Sequence, residues 1–73
     1  MKYALKLPDA NFEIVKEPQG LWDLWINGMP TLTFPNPEEA AKAVHEHRAG
    51  WAAWDNSPNE PSPEDLTGWT EIT

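Results

Sequence analysis

The sequence predicts an α+β domain: a four-stranded antiparallel meander sheet, one main helix packed on one face, and a Trp-anchored C-terminal tail. Three observations carry this. Apolar and polar residues alternate in short runs through residues 3–34, separated by glycine-containing turns, which is the period of half-buried strands. Residues 40–54 switch to a 4-3-4-3 apolar spacing, the period of a helix. Five tryptophans, Trp22, Trp25, Trp51, Trp54 and Trp69, give a 73-residue chain an unusual amount of buriable surface. Each covers roughly 150–250 Å² when packed, which matters near the size where a single core only just suffices. The chain reads as one domain, with a meander over residues 1–35, a helix over 36–50 and an acidic, Pro-rich tail over 51–73.

The strands follow from their alternation. Tyr3, Leu5 and Leu7 alternate with Lys2, Ala4 and Lys6; Phe12 and Ile14 alternate with Glu13 and Val15. Trp22 and Leu24 alternate with Leu21, Asp23 and Trp25, and Pro30, Leu32 and Phe34 with Thr31 and Thr33. Pro18-Gln19-Gly20 and Ile26-Asn27-Gly28 both suit three-residue hairpin loops closed by a left-handed glycine. That register sets Ile14 opposite Leu24, Leu24 opposite Pro30 and Trp22 opposite Leu32. One face then collects Phe12, Ile14, Trp22, Leu24, Pro30, Leu32 and Phe34. A two-residue Asn27-Gly28 turn is the alternative. It would set Trp22 and Leu24 opposite Thr33 and Thr31, because a one-residue slip inverts every side chain. The three-residue loop is favoured.

Asn36 suits an N-cap, Pro37 the first helical position, and Glu39 falls three residues after the cap. The apolar stripe runs Ala40, Val44, His47, Trp51, Trp54. Gly50 interrupts it, and a break there followed by a second short turn through Trp54 is preferred to a continuous helix. In the tail, Ser62-Pro63-Glu64-Asp65-Leu66-Thr67-Gly68 repeats the cap, proline, acid and glycine-stop order of one helical turn. Trp69 and Ile72 then anchor the end.

The net charge is −7. Residues 1–37 hold three lysines against four acids, while residues 38–73 hold Lys42 and Arg48 against eight. Affinity for phosphate backbones rests on Lys and Arg, so direct nucleic-acid binding is not expected. With no cysteine there is no disulfide framework or thiolate metal site. Met1 to Asp9 hold no apolar run of signal-peptide length, and nothing nears the roughly 20 apolar residues of a membrane span. A cytoplasmic protein without membrane contact is the expectation.

No motif specifies a reaction. Ser57 and Ser62 both precede proline, and Ser62 is explained as a cap. His45 and His47, at i,i+2, diverge on a helix, unlike zinc-binding i,i+4 pairs. His47 suits a half-buried position with one hydrogen bond, and His45 a solvated one. Glu13 and Asp23 lie diagonally on an open sheet face that does not tune acid–base groups. No catalytic residue, metal site or cofactor is expected, and the chain reads as non-enzymatic.

The opposite sheet face is the candidate site. By the favoured register it carries Val15, Leu21, Trp25 and Met29, rimmed by Glu13, Glu17, Asp23 and Thr31. A central tryptophan with a polar rim is the layout of protein-binding surfaces. Two occupants compete for it: the tail, docking Leu66, Trp69 and Ile72 as a second layer, or a protein partner such as a second copy of the chain. Carbohydrate stacking on Trp25 ranks below both. The alternative function is an acidic, phage-type inhibitor that mimics nucleic acid against a basic nuclease or DNA-binding protein. Against it, Glu38, Glu39, Glu64 and Asp65 occupy first turns of helices, where acids complement the macrodipole.

Taken together, Trp22-x-x-Trp25-x-x-Gly28-x-Pro30, Glu39-Ala40, His47-x-x-Gly50-x-x-x-Trp54-Asp55 and Pro63-x-Asp65-Leu66-x-x-Trp69 resemble a group of short uncharacterised bacterial proteins. These are packing and turn residues. The resemblance implies a stand-alone bacterial domain and carries no activity with it.

Overall fold

A computed structural model describes residues 1–8 and 10–72. Strands β1 (Lys2–Leu7), β2 (Ala10–Lys16), β3 (Trp22–Ile26), β4 (Met29–Phe34) and β5 (Thr70–Ile72) form one antiparallel sheet in the order β4-β3-β2-β1-β5. Helix α1 (Pro37–His45) packs across β2, β3 and β4. A one-turn helix α2 (Ala52–Asp55) and a 3₁₀ turn (Leu66–Gly68) follow. The α+β class and the meander order match expectation. The fifth strand is additional, because the tail's last residues find the free edge of β1.

The first glycine turn forms as expected. The Glu17 amide donates to Leu21 O at 2.7 Å and the Gly20 amide to Glu17 O at 3.0 Å, closing a three-residue loop with Gly20 at φ +92°. Ile14 accordingly faces Leu24. The second turn corrects the favoured reading. Ile26 pairs with Met29, so Asn27 and Gly28 alone make the turn, both left-handed at φ 51° and 83°. That is the backbone of a type I′ hairpin, whose twist matches the strands.

By itself this turn would set polar threonines against the core face. A bulge prevents it. Trp25 pairs with Pro30 but Leu24 pairs with Leu32, leaving Thr31 as the extra residue of β4. The Thr31 hydroxyl donates to Leu24 O at 3.1 Å. The inserted residue restores the parity: Leu24 meets Leu32, and Trp22 meets Phe34. Burying an apolar face decides the register beyond the turn, and turn chemistry decides it only at the tip. Three residues change role. Ile26, expected in the loop, is buried core; Pro30, expected in the core, lies exposed opposite Trp25; and Leu32, expected in the core, faces the helix side at the sheet edge but stays 40% exposed.

Asn36 caps α1, its Oδ1 accepting from the Glu39 amide at 2.8 Å, with Pro37 in the first turn. The helix ends at His45, five residues short of the expected position 50. His47 takes the left-handed conformation at φ 58°, its amide bonding Val44 O (3.1 Å) and the Arg48 amide bonding Ala43 O (2.8 Å). These two bonds are a Schellman closure with histidine where glycine is usual. Gly50 breaks the chain a second time at φ +86°, packed against Leu32. The Asp55 carboxylate accepts from the Ala49 and Gly50 amides at 2.8 and 3.1 Å and holds this bend. The expected stripe survives the break: Ala40, Val44 and Trp54 are buried, and His47 and Trp51 half-buried.

Three buried alanines on α1 let the helix lie close to the sheet. Trp54 fills the space beyond its end, donating Nε1–H to Val44 O at 2.8 Å. Phe12 is held between two indoles, Trp54 at 5.1 Å edge-on and Trp69 at 6.2 Å between ring centroids. The tail therefore closes the helix side of the sheet. Its short turn is capped by Asp65, which accepts from the Thr67 amide at 3.0 Å, and not by Ser62.

Candidate interaction surface

With both helices and the tail turn on one side, the other face of the sheet carries no second layer among the described residues. The tail does not cover it. Cross-strand pairing arranges the face in rows. One row runs Ile72, Lys2, Val15, Asp23, Thr33 from β5 to β4; the next runs Thr70, Ala4, Glu13, Trp25, Pro30. Leu21 flanks them beyond Asp23, opposite Glu17 across the hairpin loop.

Three of the four expected site residues, Val15, Leu21 and Trp25, share this face. Val15 and Trp25 are half-buried and Leu21 exposed. Met29 does not belong with them. It pairs with Ile26 at the hairpin tip, which puts it on the helix-facing side, 67% exposed and near Trp51. The two-residue turn is the cause, since it moves Met29 by one position relative to a three-residue loop.

The electrostatics of the face are divided by strand. β1 contributes Lys2 and Lys6, while β2, β3 and the loop between them contribute Glu13, Asp23 and Glu17. Lys2 Nζ lies 3.0 Å from Glu13 Oε2. Thr33 donates its hydroxyl to Asp23 Oδ1 at 2.9 Å. Glu17 shares a hydrogen bond with Asp23 that raises its carboxyl above the ordinary value, with partial desolvation and the Asp23 charge acting in the same direction. The Trp25 indole N–H is sealed from solvent and has no acceptor.

Beside this ridge the face sinks. The small side chain of Ala4 floors a depression of about 430 Å³, bounded by Lys6, Asn11, Glu13 and the Asn27-Gly28 turn. Asn27 fixes that turn to β2: its amide donates to Asn11 O at 2.7 Å and its Oδ1 accepts from the Asn11 amide at 2.8 Å. Sequence reading missed the depression, and its signal was a lone alanine among long side chains in β1. On the helix side a cavity of about 100 Å³ lies between Leu7, Ala10, Trp51, Trp54 and Glu60. That is well below the roughly 300–1,000 Å³ of small-molecule sites.

The histidines stand apart from one another. His45 is exposed, its Nδ1 3.2 Å from Ser62 O. His47 stacks on Trp54 at 4.3 Å and 14° and faces two carbonyls, Trp54 O at 2.8 Å from Nδ1 and Glu60 O at 3.1 Å from Nε2. It joins α1, α2 and the Pro-rich segment. No family model matches this chain, and neither a curated protein nor a solved structure matches it.

Proposed function

We propose that this chain is a non-enzymatic bacterial protein-interaction module of the cytoplasm that receives a protein partner on the outer sheet face. One observation carries the reading: the half-buried Trp25 stands between Glu13 and Pro30 on a face that the tail leaves uncovered. An aromatic centre with a charged rim is the composition that concentrates binding energy. Acidic mimicry of nucleic acid is less well supported. Of the eight acids in the C-terminal half, Glu38 and Glu39 sit in the first turn of α1, and Glu46 pairs with Arg48. Asp55 clamps two amides and Asp65 caps a turn.

Site-specific photocrosslinking in the source cells tests this. A photoreactive side chain at Thr33, on the outer face, is expected to yield discrete protein adducts that disappear with Trp25→Ala. The same side chain at Lys42, on the exposed side of α1, is expected to yield none. Adducts from Lys42 alone, or Thr33 adducts indifferent to Trp25, would sink the reading.

A further inference from the structure

We propose that the partner is a second copy of this chain, its sheet laid face to face on the first about a two-fold axis running along β2, with Trp25 of each copy seated in the depression over Ala4 of the other. This rests on the outer face being an interaction surface and adds the occupant and its register.

The sheet order makes β2 the middle strand, with β1 and β5 on one side and β3 and β4 on the other. A two-fold axis parallel to β2 exchanges β1 with β3 and β5 with β4 while keeping each cross-strand row on itself. In one row Lys2 then meets Asp23, Ile72 meets Thr33, and Val15 meets its own copy on the axis. In the next, Trp25 meets Ala4 and Pro30 meets Thr70. The largest side chain of the face falls on the smallest, and the cation falls on the anion.

Glu13 also lies on the axis. Its bond to Lys2 draws it toward its own β1, so the two copies' carboxylates lean to opposite sides. Lys2 of the second copy supplies positive charge to the Asp23–Glu17 carboxylate pair. An in-plane axis perpendicular to the strands would instead lay β1 on β1, stacking lysine on lysine, and is rejected by charge. Isologous contact of this kind closes after two copies.

The sheet edges offer no competing route. β4 carries Pro30 and a bulge, and β5 is three residues long, both devices that blunt edge-to-edge pairing. Five strands at about 4.8 Å spacing and six residues at about 3.3 Å each span only about 24 by 20 Å. That is below the roughly 800 Å² per partner of a standard interface, so a weak dimer, with a dissociation constant of about 1 μM or above, is expected.

Sedimentation equilibrium of the full chain from about 10 μM to about 1 mM covers that range. The wild type is expected to pass from monomer to dimer. Ala4→Trp, which fills the depression, and Val15→Glu, which replaces the apolar contact on the axis by a second pair of like charges beside Glu13, are each expected to weaken dimerisation at least about tenfold, a change of about 1.4 kcal/mol. Lys2→Glu and Asp23→Lys are each expected to be monomeric alone and to form a heterodimer when mixed, since both cross-contacts then become attractive. Thermal melts confirm that each variant is folded. A monomeric wild type at the highest concentration, or failure of K2E and D23K to rescue each other, overturns the proposal. A monomeric wild type whose Thr33 crosslinks a different protein removes the second copy and leaves the interaction reading standing. Loss of both the dimer and the Thr33 adducts removes both.

Discussion

His47 ties three segments of the chain together through its backbone and its ring. A non-glycine residue in the left-handed region is strained by about 1–2 kcal/mol, and histidine tolerates it better than most. Here its ring is held by Trp54 and by two backbone carbonyls, both of which accept, so a neutral imidazole donates to one at a time. His47→Ala keeps the strain and loses the stacking and the hydrogen bond. It is expected to destabilise by about 2 kcal/mol in urea unfolding. His47→Gly relieves the strain and is expected to recover about 1 kcal/mol of that loss. Asp65 gives a pH-dependent counterpart. The Thr67 hydroxyl and amide hold its carboxyl below its ordinary value. A lowered folded value means that the stabilising contribution is present above the unfolded value and is lost as pH falls through the folded one. The Thr67 amide resonance is therefore expected to titrate in the acid range together with a loss of stability, and Asp65→Asn is expected to flatten both.

Among the elements, the β3–β4 hairpin shows how local and non-local preferences divide a strand. Asn27-Gly28 sets the two-residue turn, and the apolar face of Leu32 and Phe34 sets the register three residues later. Thr31 absorbs the difference. Deleting Thr31 is expected to remove the bulge while keeping the Leu24–Leu32 cross-strand contact in NOE spectra, because the two-residue turn then sets Leu32 directly opposite Leu24. Gly28→Ala strains a left-handed position and is expected to destabilise by about 1 kcal/mol in urea unfolding, without changing that register in the same spectra. Helix α1 obeys its start signal at Asn36, and its end is set by closure bonds through His47 and Arg48.

For the molecule as a whole, the decisive event is where the tail goes. Trp69 closes on Phe12 from the helix side, and Thr70–Ile72 extend the sheet beside β1. The radius of gyration is 11.0 Å, matching the about 11 Å of a compact chain this long. Trp69→Ala opens a cavity against Phe12 and detaches β5. It is expected to destabilise by about 3–5 kcal/mol, a large share of a small domain's stability, seen as a fall in the thermal midpoint by circular dichroism. Because the tail packs on the inner side, the same truncation leaves Val15, Asp23 and Trp25 of the outer face in place.

Alternation, turn glycines, the Asn36-Pro37 cap and the helical stripe were legible because each is a local preference that the sheet or helix satisfies over a few residues. They determined the class, the strand order, the inward Trp22 and outward Trp25, and the packing of Trp51 and Trp54. The bulge at Thr31, the early stop at His47, the side chosen by the tail and the depression over Ala4 depended on contacts between residues far apart in the chain. Only packing could decide them, because each trades a local rule for the burial of an apolar face that exists only once the strands and helix have met.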